Sequence, residues 1–258
     1  MHFARPLILS LLLSLAFCLH AHAAPAPHPK SDPIASAIAN PARSDRDRER
    51  DARDRPEAVL ELAGFGPGMT IADIFGGGGY YSEILAGLVG PQGRVLLINN
   101  PPYDAYAKKA LEARLAGGRL ANVDYRIVPN EAMGLGEEKL DGAMIIMSYH
   151  DLYVADPDQG WPAIDAGQFI DQIVKALKPG GKLLIVDHSA KPGTGKSAAQ
   201  TLHRIDEAFA RSDFKAHGLE LVASSEVLRH KDDERTRNVT DEAIRGKTDR
   251  FVQVYRKP

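Results

Sequence analysis

Four consecutive glycines, Gly76 to Gly79, separate an apolar run from a helical repeat. The run is Met69 to Phe75, and beyond the glycines Tyr80, Ile84, Leu85 and Leu88 recur at helical spacing. This order predicts strand, glycine turn, helix. Glycine loses more backbone entropy on folding than any other residue, so four in a row need a reason. A ligand supplies one: without a Cβ the backbone can pass close to it at positive φ, and the helix start beyond has free N–H groups. The physical reading is a nucleotide-like ligand over the end of the first strand of an α/β sheet. The alternative is a tight strand–helix turn with no ligand.

The N-terminus reads as a targeting segment. Arg5 precedes an apolar stretch, Leu7 to Leu19, too short to span a bilayer comfortably, and Ala21-His22-Ala23 has the small-x-small form of a cleavage site. The expectation is a signal peptide over residues 1–23, a mature chain of 235 residues beginning at Ala24, and a periplasmic or secreted protein with no stable membrane anchor. Cleavage removes Cys18, the one cysteine, and with it any disulfide, thiol nucleophile or cysteine metal site. It also removes Arg5, taking the basic count from 32 to 31 against 34 acidic residues. Such a balance gives no electrostatic case for nucleic acid or a membrane surface, and the expected partner is a small-molecule substrate.

Residues 24–43, rich in Pro and Ala, are expected to form a flexible leader, and 44–258 a single domain. Residues 44–55 mix both charge signs densely. They read as a solvated helix face laced with i,i+4 pairs, or as charges that fold back over the ligand. Pro56 then opens a helix over 57–63. Strands are expected at 93–98, 123–128, 140–148, 182–187, 219–228 and 251–256. Helices are expected at 103–115, 164–177 and 197–210, with Lys178-Pro179-Gly180-Gly181 as a turn. Alternating strands and helices imply an α/β fold with a largely parallel sheet covered on both faces; the last two strands, with no ordinary crossover helix between them, can pair antiparallel at an edge.

From about Arg55 to Pro258 the chain resembles the class I S-adenosylmethionine-dependent methyltransferases. Gly-Phe-Gly-Pro-Gly-Met-Thr-Ile-Ala-Asp (64–73) and Leu-Lys-Pro-Gly-Gly-Lys-Leu-Leu-Ile-Val-Asp (177–187) carry the likeness most specifically. Gly77-Gly78-Gly79-Tyr80-Tyr81, Tyr149-His150-Asp151-Leu152 and Lys247-Thr248-Asp249-Arg250-Phe251 are similar to a group of exported bacterial "predicted methyltransferases". The resemblance implies a Rossmann-like three-layer sandwich, seven strands in the order 3-2-1-4-5-7-6 with strand 7 antiparallel, and S-adenosyl-L-methionine as cofactor. It further implies that the methionine part lies over Asp73, Gly77 and Gly79, beside Phe75 and Tyr80. The adenosine passes the end of strand two at Asn99, and the adenine sits near Asn130 and Glu131. Phe75 stands where the common motif has its first glycine. Asn99 stands where an acidic residue normally grips the ribose diol, and an amide accepts such a hydroxyl without charge assistance. The function implied is methyl transfer to an unidentified small molecule. A protein of another class, an exported small-ligand binder on the same fold, is the alternative.

Methyl transfer needs alignment of the acceptor and, for some acceptors, removal of a proton. His150, following strand four, is the candidate base, with Asp151 or Asp187 orienting it; a histidine satisfied by hydrogen bonds at a strand end is the alternative. Asp187-His188, and His203 with Asp206 three residues on along one helix face, could line the same mouth. His150, His188, His203 and carboxylates could in principle bind a metal, but no His-x-x-x-His or similar tight spacing supports it, so no metal is assigned. Asn100-Pro101-Pro102-Tyr103 spells an amino-methylation signature but follows strand two, and reads as a turn. Ala190 to Ser197 fits a relaxed phosphate-loop pattern with alanine for its first glycine, and reads as a flexible lid near the substrate mouth. Arg245, Lys247 and Arg250 could hold an anionic group, or lie in a surface turn paired with Asp232, Asp233 and Glu234.

Overall fold

A computed structural model describes residues 1–2 and 32–258 of the chain. Contacts divide the chain into two units, 1–30 and 31–258. The expected signal peptide, its cleavage site and Cys18 lie outside the described residues.

The second unit is the α/β sandwich that the alternation predicts. Helices α1 (Pro33–Ile38), α2 (Asp45–Asp54) and α3 (Pro56–Ala63) precede β1 (Thr70–Ile74). Then come α4 (Tyr80–Val89), β2 (Arg94–Asn99), α5 (Pro101–Leu115), β3 (Val123–Ile127), β4 (Leu140–Ile146), α6 (Ala166–Ala176) and β5 (Leu177–His188). Last are α7 (Ala199–Leu202), α8 (Glu207–Ala216), β6 (Glu220–Ser225) and β7 (Arg250–Arg256). The sheet order is β3-β2-β1-β4-β5-β7-β6. The first five strands pair in parallel, and β7 runs antiparallel to β5 and β6. The order reverses between β1 and β4, the position where open α/β sheets bind ligands at the carboxyl ends of their strands.

Both sheet faces are buried, so the central strands are apolar throughout. Ile71, Val95, Met144 and Leu184 pack under Leu60, Ile84 and Leu85 of α3 and α4. Ala72, Ile74, Ile98, Ile145 and Ile185 pack against Phe169, Ile170 and Ile173 of α6 and Phe214 of α8.

Four expectations change. The leader expected over 24–43 is ordered from Asp32 onward: Asp32 caps α1, and Ile34 and Ala37 are buried against α4. Lys178 to Gly181 is no separate turn, because β5 starts at Leu177 and runs through an irregularity in its pairing with β4. The helix expected at 197–210 breaks in two, since the Ile205 N–H and C=O bridge to His188 and Ala190 beside the end of β5. His203 takes left-handed backbone (φ 53°) and Asp206 caps α8, so the two do not share a helix face.

The fourth concerns residues 44–55. A solvated, self-paired face predicts exposed carboxylates, but Asp47 and Asp54 are buried. Only Arg50–Asp54 is an i,i+4 pair within the helix. Asp54 accepts from Arg53, from Arg50 at 2.5 Å and from Arg250 of β7 at 2.9 Å. Asp47 pairs with Arg114 of α5, and Asp51 accepts from Arg43 and the Tyr80 hydroxyl. Asp47, Arg50, Asp51 and Asp54 of α2 therefore face inward, onto α4, α5 and β7, while Asp45, Arg46, Arg48, Glu49 and Arg53 stay exposed. Burial alone would raise the Asp54 pKa, but Arg53, Arg50 and Arg250 outweigh it and hold the carboxyl well below its ordinary range. That stabilisation is present above the ordinary carboxylate pKa and is lost only as pH falls toward the depressed value.

Asp54→Ala leaves Arg250, 3% exposed, buried without its carboxylate. Urea unfolding should show a loss of about 3–5 kcal/mol, and the double variant with Arg250→Met should recover at least half of it. Additive losses would mean that the two residues act independently.

Candidate functional site

The four glycines do different work. A Cβ on Gly76 would lie 2.4 Å from a Leu97 methyl and 2.6 Å from the Asp73 carboxylate, so that glycine lets the turn close on its own strand. Gly79, at φ 77°, begins α4 with no side-chain cap, leaving the first-turn N–H groups without a side-chain acceptor. Gly77 also has positive φ, 55°, but a Cβ there would meet no protein atom within 4 Å. It is the glycine whose missing side chain the protein itself does not require for packing. Asn99, at the end of β2 and fully buried, pins it at both ends: its Oδ1 accepts from Gly77 N–H and its Nδ2 donates to Gly77 C=O, each at 3.0 Å. Arg114 donates to Gly78 C=O from α5.

Asn99 was expected to meet a ribose; its amide is instead engaged with the turn. Phe75 is left-handed (φ 53°), a conformation that costs a non-glycine residue of order 1–2 kcal/mol. That explains why glycine is common there. Here the aromatic ring offsets the cost by stacking on Tyr103, with centroids 4.7 Å apart and planes within 4°, and by packing on Phe169.

Asp73 is buried and accepts one side-chain hydrogen bond, from Ser82 at 2.6 Å. Burial pushes its pKa up to about 6, against the Ser82 bond, which opposes the rise. With Arg50, Phe75, Gly76, Tyr80, Tyr81 and Ile146 it lines a cavity of about 40 Å³, room for an ammonium or carboxylate group and not for a nucleoside. Arg50 reaches this cavity from α2, its guanidinium 3.9 Å from the Tyr80 ring centroid. Sequence reasoning did not single out Arg50; the signal was that 44–55 holds more charge than its own i,i+4 pairs can satisfy.

Across the mouth, Tyr149 and His150 follow β4. His150 is buried between two carboxylates: its Nδ1 lies 2.8 Å from Asp187 and its Nε2 3.2 Å from Asp151. Its backbone N–H also donates to Asp187. Burial alone would lower its pKa, but Asp187 and Asp151 outweigh it and push it up to about 10. An imidazolium with both nitrogens engaged has no free lone pair at neutral pH, so the expected base is a fixed cation. Asp151 is likewise held well below the usual range, its burial overridden by His150. Tyr103 donates to Asp151 at 2.6 Å and so joins the Phe75 stack to this cluster. His188, partly buried at the end of β5, bonds the Thr248 hydroxyl through Nδ1; burial, then the His150 charge, hold its pKa well below the ordinary value.

The remaining candidates divide. Asn130 accepts from Asn100 after β3, and Glu131 is exposed beside it. Asn100 caps α5 by accepting from Tyr103 N–H, so 100–103 is a helix start. The 190–197 segment is tied down: Gly193 and Gly195 both donate to Asp206, which occupies the amides a phosphate would need. Arg250 is neither a free anion ligand nor paired with 232–234; its partners are Asp54 and the Arg53 carbonyl. Asp233 instead binds the buried Arg204.

No protein-family model matches the chain. It is 28% identical over 131 residues to the ubiquinone/menaquinone biosynthesis C-methyltransferase UbiE of Hydrogenovibrio crunogenus, covering 51% of this chain and 46% of that protein. It is 32% identical over the same length to UbiE of Shewanella sediminis, covering 51% and 47%. The chain thus spans about half the length of the curated relatives it matches. Among solved structures, a SAM-dependent methyltransferase from Aquifex aeolicus superposes with TM-score 0.56 at 20% identity, covering 83% of this chain and 97% of that one. The [4+2]-cyclase SpnF superposes with TM-score 0.56 at 16% identity, covering 81% and 82%. The fold is that of the class I S-adenosylmethionine-dependent methyltransferases.

The Asp73 pKa has a sign that can be measured. A carboxyl whose folded pKa is raised binds its proton more tightly when folded, so its contribution is complete below the ordinary Asp value near 3.9 and is lost as pH rises through about 6. Asp73→Asn keeps an acceptor for Ser82 and removes that cost. At pH 7.5 it should be more stable than the parent by about 1–3 kcal/mol, and at pH 4 within about 0.5 kcal/mol of it, by urea unfolding. Equal stabilities at both pH values would contradict the raised pKa.

Proposed function

We propose that this protein is a class I methyltransferase using S-adenosyl-L-methionine to methylate a small molecule, and that it acts in the periplasm or outside the cell. The observation that carries the reading is the pairing of Asp73 with Gly77: a buried carboxylate held at a cost to stability, beside a turn whose glycine is open on the ligand side. The donor set suits the cofactor. Asp73 and the small cavity around it would hold the ammonium of the methionine part. Gly77 and Gly79 would let the chain pass close to it, and Asn130 with Glu131 would border the adenine. Asn99 serves indirectly by fixing Gly77. Bound there, the cofactor supplies an electrophilic methyl group.

This chain's own residues position and polarise. The Phe75–Tyr103 stack and Trp161 form an apolar wall that excludes water between the two halves of the site. His150, with its two ring nitrogens held by Asp187 and Asp151, has no free lone pair with which to deprotonate an acceptor. Export is supported by Arg5, the Leu7–Leu19 stretch and Ala21-His22-Ala23.

Calorimetric titration of the protein with S-adenosylmethionine and with S-adenosylhomocysteine tests the reading. Micromolar binding of both is expected. Gly77→Ala adds a Cβ that meets no protein atom within 4 Å and so should fold, with about 1–2 kcal/mol of backbone strain, yet should weaken binding at least 100-fold. No heat from a folded wild-type sample would overturn the cofactor assignment.

A further inference from the structure

The fold brings His203 to a His-Asp pair from which sequence spacing kept it apart. His150 and Asp151 follow β4, and His203 lies some fifty positions on, at the end of α7. The bridge from Ile205 to the end of β5 sets His203 beside them. One donor atom from each of His150, Asp151 and His203 lies within 4.8 Å of the other two.

We propose that His150, Asp151 and His203 form a binding site for a divalent transition-metal cation of the zinc class. The distances suit such an ion. Asp151 Oδ1 is 3.2 Å from His150 Nε2 and 3.5 Å from His203 Nδ1. Zinc bonds of about 2.0–2.1 Å in tetrahedral geometry place neighbouring ligand atoms about 3.3 Å apart. Two imidazoles and one carboxylate suit zinc or a neighbouring transition metal rather than magnesium or calcium, which take oxygen.

The surroundings hold the donors in the required orientation. Asp187 fixes the His150 ring through Nδ1, leaving Nε2 to face the centre of the cluster. A carboxylate on the far nitrogen of a histidine ligand is the usual support in metal sites. Tyr103 donates to Asp151 Oδ2 and leaves Oδ1 toward both histidines. Charge balance points the same way. Asp187, buried, and Asp151, partly buried, flank one buried imidazole, so at best a single positive charge faces two negative ones. A dication that takes the place of the proton on His150 Nε2 balances them. His203 is 35% exposed and gives the ion a route in from solvent. Three protein ligands leave a fourth position at the mouth of the site, open to water or to an oxygen of the acceptor.

The test needs no S-adenosylmethionine, so its outcome is separate from that of the cofactor assignment. The purified protein is stripped with a chelator and titrated with zinc chloride by calorimetry and with cobalt chloride by visible absorption. The expected result is one saturable site with a sub-micromolar Kd for zinc and cobalt bands typical of four-coordination. His203→Ala and Asp151→Asn should each weaken zinc at least 30-fold. His217→Ala, which removes a histidine paired with Asp171 elsewhere, should leave it unchanged. His203 is partly exposed, so its variant should melt with the wild type; His203→Gln serves if it does not. Absence of saturable uptake, or uptake unchanged by both His203→Ala and Asp151→Asn, would overturn the proposal. The second outcome would assign the ion to residues outside this cluster.

Discussion

Asp54 ties the two ends of the domain together. Its carboxylate receives Arg250 from the last strand and Arg50 and Arg53 from its own helix, while the Arg53 carbonyl receives the other arm of Arg250. None of these charges could be buried alone; each is tolerable because the others neutralise it. The result is that α2 cannot lift off without exposing or orphaning several charges at once. With α2 fixed, Arg50 stays over Tyr80 and Asp51 stays on the Tyr80 hydroxyl, which places the start of α4 and the glycine turn before it.

The site itself divides into a turn and a charged wall, joined by aromatic side chains. The turn is shaped by backbone groups: Asn99 holds Gly77, Arg114 holds Gly78, and Phe75 takes a left-handed conformation supported by its stack on Tyr103. The wall is shaped by buried charge: Asp187, His150 and Asp151 in a row. Tyr103 belongs to both, with its ring on Phe75 and its hydroxyl on Asp151. Met147, at the end of β4, is left-handed as Phe75 is at the end of β1, so both central strands turn sharply at the edge where the ligand site lies.

The centre of the sheet was legible because β1, β2, β4 and the latter half of β5 are buried on both faces and read as mainly apolar runs between glycine and proline turns. The strand order came from the resemblance. The glycine turn was legible as a turn, though not which glycine serves the fold and which the ligand, since that depends on Leu97 and Asp73 packing against Gly76. Charge was the least legible. Residues 44–55 carry a composition that solvated helices also carry, and nothing local reveals that Asp54 meets a residue 196 positions away. His150 looked like a base oriented by Asp151 or Asp187; the fold sets both carboxylates on its ring at once, which leaves no free nitrogen. The break at His203 was hidden because the residues around it have ordinary helix propensity, and the bridge to β5 is a tertiary contact.

The central claim is that the Asp73–Gly77 turn holds the methionine end of the cofactor. A crystal structure of the protein grown with S-adenosylhomocysteine tests it most directly. The account predicts density for the ligand against Gly77, with its amino group at Asp73 and its adenine toward Asn130. A ligand bound elsewhere on the sheet edge, or a turn left bare at saturating ligand, would contradict it.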